Sequence, residues 1–290
     1  MTSAATWQEW RERARPVDVD GLSVAGYDLG PTDGTPFTFL HGYPSSSLDV
    51  DPTWQLLGDG WRLVALDFPG FGASDKPVGH RYSIHAAADA VEAQWAATGV
   101  DETMLVAHDY GVSVAQELLA RRLDGVLDTA VESVIWMNGG LYPDLHRPTV
   151  GQQLLIDEGG ADLAASLTEE LFVSGIRVTW GTRRAMDERE IAEIWASMAE
   201  RGGVARMHDL LHYVEDRRRH ERRWRDALEL SELPMTFVWG DLDPVSGAHM
   251  IERVEERVPA AAVVRLDDVG HWPLLEAPDV LAAAMRAART

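Results

Sequence analysis

Three observations predict an α/β protein with a mostly parallel central sheet, helices on both faces and a helical insertion. Short apolar runs of strand length alternate with longer helix-periodic segments through the first half of the 290 residues. The alternation stops after Gly139-Gly140, where only helical patterning continues to about Leu230, and then two more strand-like runs appear. Clusters of Gly, Pro, His or Asp follow five of the apolar runs, at the strand ends where open parallel sheets carry their chemistry.

In chain order, Trp7 to Ala14 reads as a short amphipathic helix. Val17-Asp18-Val19 and Leu22-Ser23-Val24 flank Asp20-Gly21, a pair suited to a hairpin turn with positive φ at both central positions. Phe37 to Leu40, Arg62 to Leu66, Met104 to Ala107 and Ser133 to Trp136 follow as strands, with the clearest helices at Ile84 to Thr98 and Val112 to Arg122. Met235 to Trp239 and Ala262 to Leu266 complete the sheet. The expected division is a core over residues 1–140, a helical cap over 141–230 and the rest of the core over 231–290.

Composition narrows the function classes. With 46% hydrophobic and 8% aromatic residues the chain can bury a large core, and the lack of cysteine removes disulfides, thiolate metal sites and thiol nucleophiles. A formal charge of -21 repels nucleic acid and anionic membrane, so the expected partners are a small neutral organic substrate and water. No apolar run approaches the roughly 18 residues of a membrane span, and Met1 to Pro16 lacks a signal-peptide core, so the expected location is cytoplasmic. Oligomeric state leaves no mark in the sequence. Lys76 is the only lysine, which reads as compositional bias.

Leu105-Val106-Ala107-His108-Asp109-Tyr110-Gly111-Val112 puts an acid at a strand-to-helix corner. The G-x-S-x-G nucleophile elbow has this setting, with small residues two before and two after the nucleophile; here Ala107 and Gly111 are the small residues and Asp109 takes the serine's seat. Leu40-His41-Gly42-Tyr43-Pro44 and Asp67 to Asp75 end two earlier strands, while Gly240-Asp241-Leu242-Asp243-Pro244 and Val269-Gly270-His271-Trp272-Pro273 follow the last two. The order is candidate nucleophile, acid, histidine.

On these motifs the chain resembles the α/β-hydrolase superfamily over nearly its whole length. Its H-D-Y-G elbow and upstream H-G-Y-P look like the aspartate-nucleophile branch, the epoxide hydrolases and haloalkane dehalogenases. It is also similar to the mesoderm-specific transcript proteins of vertebrates through "HGYPSSS", "LDFPGFGASDKP", "HDYGVSVAQELL", "NGGLYPDLHRP" and "LDPV".

A carboxylate can displace a leaving group at an sp3 carbon, giving an alkyl ester that water must then hydrolyse. A histidine held by a second acid supplies the base, and His271 with Asp243 matches those roles. Spacing in the resembled family selects Asp243, three after the strand-terminal glycine, over the turn residue Asp241; the rival acid position after Met137 holds Asn138. The resemblance implies an oxyanion hole from the backbone N–H groups of Tyr43 and Tyr110. His41 and His108 read as packing and hydrogen-bonding residues, with His41 near the substrate pocket.

Dehalogenases of this branch commonly place Asn after His-Gly and Trp after the nucleophile, where this chain has Tyr43 and Tyr110. Epoxide opening instead needs a proton donor, supplied in the similar hydrolases by cap tyrosines. Tyr213 is the favoured donor; a second cap donor is not evident. Tyr142, Trp180 and Trp195 are expected to line the pocket, and Trp224 is a further candidate for lining it or binding halide. No metal or cofactor is expected: His208 and His212 have ligand spacing but no third partner. Arg217, Arg218, Arg219, Arg222, Arg223 and Arg225, interleaved with Glu215, Asp216 and Glu221, read as a solvated, ion-paired helix. The expectation is a cofactor-independent epoxide hydrolase acting through an aspartyl alkyl ester, with a haloalkane dehalogenase or a non-catalytic binding protein of this fold as alternatives.

Overall fold

A computed structural model describes residues 4–289, so the first three residues of the expected core segment 1–140 and the last residue of 231–290 lie outside the description. Helix α1 (Trp7–Arg11) is shorter than the predicted Trp7 to Ala14, because Ala14 already leads into strand β1 (Arg15–Val19). Strand β2 (Leu22–Leu29) returns antiparallel to β1 through Asp20-Gly21, whose φ angles of 51° and 84° are those the turn demands.

Strands β3 (Thr35–Leu40), β4 (Trp61–Leu66), β5 (Glu102–Ala107), β6 (Ala130–Met137), β7 (Met235–Gly240) and β8 (Ala262–Leu266) complete an eight-stranded sheet ordered β1-β2-β4-β3-β5-β6-β7-β8. All pairs from β4 to β8 are parallel; β2 joins β4 antiparallel. Every residue of β4 is buried, as expected of a strand covered on both faces. Helices α2 (Asp51–Leu57), α3 (Ile84–Thr98) and α4 (Tyr110–Leu123) connect the early strands. Ser83 caps the start of α3 and Gly99, left-handed at φ 64°, ends it, which is why its limits were readable from sequence.

Between β6 and β7 all the regular elements are helices: α5 (Val150–Ile156), α6 (Gly160–Ala165), α7 (Glu169–Arg177), α8 (Glu188–Ala199), α9 (Met207–Leu210), α10 (Tyr213–Arg219) and α11 (Glu221–Glu229), with short 3-10 turns. Helices α12 (Ala248–Arg257), α13 (Pro273–Glu276) and α14 (Pro278–Ala288) finish the chain.

The motif loop after β4 clasps this insertion. Asp67 accepts the Ser47 N–H at 2.9 Å, the Tyr27 hydroxyl at 3.1 Å and the Ala73 N–H at 2.9 Å. Lys76, read above as compositional, gathers the carbonyls of Phe71, Gly72 and Ser74 on its ammonium, and burial lowers its pKa to about 8. Arg201, in the turn after α8, reaches the Ala73 carbonyl at 3.0 Å and Asp75 at 2.7 Å.

The elbow depends on a close approach of β3. Gly111 donates to the carbonyls of His41 and His108 at 2.9 and 2.8 Å, and a Cβ on it would lie 2.1 Å from the Leu40 carbonyl oxygen. Gly111→Ala is therefore expected to cost about 2–4 kcal/mol in urea unfolding. A loss under about 0.5 kcal/mol, the usual effect of an unconstrained substitution, would contradict this account.

Candidate active site

Strand β5 delivers Asp109 to the corner with φ 45° and ψ -103°, a backbone conformation an aspartate rarely adopts. Its own N–H donates to the Asn138 carbonyl at 2.9 Å, which anchors the corner to the end of β6. The residue is 2% exposed. Its Oδ1 accepts the Tyr43 N–H at 2.9 Å and the Tyr213 hydroxyl at 3.5 Å, and its Oδ2 lies 3.7 Å from His271 Nε2. Of the two expected N–H donors, Tyr43 makes the bond; among the described residues no such bond comes from Tyr110, which begins α4.

The other side of His271 is held by Asp243, Nδ1 to Oδ2 at 2.8 Å. Asp243 also accepts the Val245 N–H at 2.8 Å and the Ser246 hydroxyl at 2.7 Å. Asn138, at the rival acid position, stitches β6 to β7 by exchanging bonds with Gly240 and donates to Asp243 at 3.1 Å. Asp241 stays at the surface, paired with Arg265. His108 bonds the His271 carbonyl through Nε2 at 2.8 Å; burial, then the nearby His271, lowers its pKa to about 4. His41 accepts the Phe68 N–H at 3.1 Å and bonds the Gly42 carbonyl at 2.9 Å, and burial lowers its pKa.

Helix α10 brings Tyr213 over the elbow. Its ring packs against Tyr110 at 5.0 Å and Tyr43 at 6.4 Å, and burial followed by the Asp109 charge raises its pKa. A cavity of about 240 Å³ opens between α5, α6 and α7 and ends at Tyr43 and His271, both of which touch Asp109. Its walls are apolar, among them Leu155, Leu163, Leu167, Phe172, Ile176 and Met207. Larger surface depressions of about 490 and 1270 Å³ contain none of Asp109, Asp243 or His271.

Four residues assigned to the pocket from sequence do not line this cavity. Tyr142 bonds Glu229 at 3.2 Å with Arg253 over its ring; Trp180 donates to the Arg184 carbonyl at 3.0 Å. Trp195 packs at a tilt of 56° against the wall residue Phe172, ring centroids 5.2 Å apart, and His41 is wholly buried beneath the Tyr43 loop. Trp224 spends its N–H on Glu117 at 2.8 Å. His208 and His212 bond the carbonyls of Leu155 and Asp209, and no metal-holding cluster occurs among the described residues. Two residues that sequence reasoning missed are central. Arg217, four after Tyr213 and so on the same helix face, turns inward instead of standing in the solvated cluster. Glu276 accepts the N–H groups of Gly270 at 3.0 Å and Trp272 at 3.3 Å, clamping both neighbours of His271.

The family with the α/β-hydrolase fold matches residues 35–278, a span that holds the elbow, Asp243 and His271. The chain belongs to the α/β-hydrolase fold family. It is 36% identical over 289 residues to LipZ of Mycobacterium tuberculosis, covering 98% of each. It is 36% identical over 283 residues to the human mesoderm-specific transcript homolog protein, covering 93% of this chain and 83% of that protein. Haloalkane dehalogenase DbeA from Bradyrhizobium elkani shares the fold with a TM-score of 0.78 at 22% identity, over 95% of this chain and 97% of that one.

In this α/β hydrolase the histidine is electrostatically loaded. Burial disfavours the imidazolium, but the charge and hydrogen bond of Asp243, and then the charge of Asp109, outweigh it and raise the His271 pKa to about 9. For Asp243 burial works upward and His271 downward, and the histidine wins, holding the carboxyl at about 2. A raised folded-state value means the His271 contribution to stability is fully present below the unfolded value of ~6.5 and is lost as pH rises through the folded value. The stability gap between wild type and Asp243→Asn should accordingly be wide near pH 6 and shrink as pH rises through about 9. Urea unfolding across that range checks it, and a gap independent of pH would show that the pair is not ionised.

Proposed function

We propose that this α/β hydrolase opens small uncharged epoxides to diols through an alkyl ester on Asp109. The observation that carries the reading is the buried Tyr213 hydroxyl, 3.5 Å from the Asp109 carboxylate, which places an acid beside the nucleophile, in contact with the cavity-lining Tyr43 and His271. In the first step an Asp109 oxygen bonds an epoxide carbon, the ring C–O bond breaks, and its electron pair stays on oxygen, which takes the Tyr213 proton. Oδ2 is the oxygen free to attack, because Oδ1 is held by the Tyr43 N–H.

Hydrolysis reuses the same parts. Water gives a proton to neutral His271 and adds to the Asp109 carboxyl carbon; the negative charge gathers on Oδ1, facing the Tyr43 N–H. On collapse the ester C–O bond breaks and the departing alkoxide takes the proton of the new Asp109 carboxyl, leaving as the diol and restoring the carboxylate. Asp243 keeps Nδ1 protonated so that Nε2 is the basic nitrogen. The ester on Asp109 removes one of the carboxylates that raise the His271 pKa, so the histidine loses its proton more readily at the stage where a base is needed.

Halide release is the reading this geometry serves less well, since a departing halide needs N–H donors. The indole N–H groups of Trp180, Trp224 and Trp272 are spent on the Arg184 carbonyl, Glu117 and Thr179. Attack of Asp109 on an ester's acyl carbon would give an anhydride, which disfavours ordinary esterase chemistry. The apolar cavity suits a substrate with an aliphatic tail.

After an epoxide is added, His271→Gln should accumulate an ester on the peptide containing Asp109, read by mass spectrometry of the digest. Full turnover by Asp109→Ala, or halide release from haloalkanes without diol from epoxides, would overturn the reading. Along a series of 1,2-epoxyalkanes, kcat/KM should rise about 4-fold per added methylene, from ~0.8 kcal/mol for each buried CH2, until the cavity is filled. A flat series would mean the tail does not enter the cavity.

A further inference from the structure

We infer that Arg217 is the positioning residue that makes Tyr213 a competent acid: its guanidinium, lying on the phenol ring, fixes the ring and offsets the negative charge left when the proton departs. The inference rests on the epoxide-opening reading above and adds to it a residue and an electrostatic role.

The surroundings of Arg217 separate it from its neighbours. Arg219, Arg223 and Arg225 pair with Glu215, Glu117 and Glu221. Arg217 is 1% exposed, and among the described residues no carboxylate lies within ion-pair distance of it. Its Nε donates to the Ser113 hydroxyl at 2.7 Å and its Nη2 to the Asp109 carbonyl at 3.1 Å, both neutral acceptors. Its Nη1 is buried without a hydrogen-bond partner, beside Gly140, where a Cβ would lie 2.2 Å from it. The guanidinium carbon stands 4.4 Å from the Tyr213 ring centroid.

Burying a cation without a counter-charge costs several kcal/mol, and hydrogen bonds to a hydroxyl and a carbonyl do not need a full charge. Such a charge is useful where negative charge resides or forms. The groups facing Tyr213 are Asp109 from the elbow, the neutral rings of Tyr43 and Tyr110 from the β3 loop and α4, and Arg217 from its own helix. Burial and Asp109 oppose loss of the phenol proton while Arg217 favours it. The nearby His146 stays neutral, its pKa lowered to about 4 by burial and then by Arg217, so it adds no competing charge. When Asp109 becomes an ester its charge vanishes as the charge on Tyr213 appears, so the anion formed in the step is the one the guanidinium lies over.

A double-mutant cycle with two substitutions at position 217 tests this. Arg217→Gln should lower kcat/KM for an epoxyalkane about 10- to 100-fold, and Arg217→Lys, which keeps the charge, should recover most of it. In a Tyr213→Phe background Arg217→Gln should cost no more than about 2-fold, because the group it serves is gone. An equal cost in both backgrounds would make Arg217 a support of the elbow alone and overturn the inference. A second readout needs no turnover: trifluorotyrosine placed at position 213 in Asp109→Asn protein reports the phenol's ionisation by absorbance, with residue 109 uncharged as in the ester. Arg217→Gln should raise that midpoint by about one pH unit or more, the scale of a single nearby charge, and an unmoved midpoint overturns the inference. If Arg217→Gln does not fold, Gly140→Ala, which displaces the guanidinium without removing it, should raise the same midpoint. A wild type that opens no epoxide would defeat the preceding reading, while the titration would still decide what Arg217 does to Tyr213.

Discussion

A carboxylate sealed from water at residue 109 is the constraint that organises the rest of the molecule. Burying that charge is costly unless donors and counter-charges surround it, and no single element can supply them all. The Tyr43 N–H comes from the loop after β3, His271 from the loop after β8, Tyr213 from α10, and the Asn138 carbonyl that holds the corner from the end of β6. The parallel sheet lines up the strand ends; the insertion between β6 and β7 closes the remaining side. The backbone strain at φ 45°, of order 1–3 kcal/mol, persists because these contacts over-determine the position of Asp109.

The insertion is tied to the chemistry as well as covering it. The Thr179 carbonyl, just after α7, accepts the His271 N–H at 2.8 Å, and its hydroxyl accepts the Trp272 indole at 3.0 Å. Glu276 completes the knot by accepting the Gly181 N–H at 2.8 Å with the same carboxylate that clamps Gly270 and Trp272. Lifting the insertion away from this loop would strip the histidine of its supports. The apolar opening between α5 and α7, flanked by the exposed Leu154 and Leu171, requires none of those bonds to break.

Legibility in the sequence followed the range of the forces involved. Sheet and long helices could be read because local periodicity and caps determine them, as Ser83 and Gly99 do for α3. Asp109, Asp243 and His271 could be read as a group because each follows a strand in a short, chemically unusual motif. What side chains of the insertion touch could not be read. Its helices are short, α10 having seven residues, so a hydrophobic pattern barely defines a face, and an aromatic ring packs equally well toward the cavity or behind it. Trp195 and Trp180 fell on the wrong side for that reason. The inward turn of Arg217 had one available signal, its spacing of four from Tyr213, which the run of arginines around it concealed.

Counting charge through the proposed first step relates the buried cations His271 and Arg217 to the carboxylates of Asp109 and Asp243, while Glu276 keeps its backbone donors throughout. Before it, Asp109 and Asp243 face the imidazolium of His271, while the guanidinium of Arg217 meets the main-chain carbonyl of Asp109. After it, Asp109 is a neutral ester and Tyr213 a phenolate, so the negative charge has moved between two groups 3.5 Å apart, onto the one whose ring Arg217 covers. The sum does not change, and a site with little water to reorganise need not absorb a new net charge at the barrier. The same transfer weakens the hold of Asp109 on the His271 proton. The phenolate needs a proton and the histidine must lose one, so passing that proton, through water where the groups do not touch, resets the acid and prepares the base together.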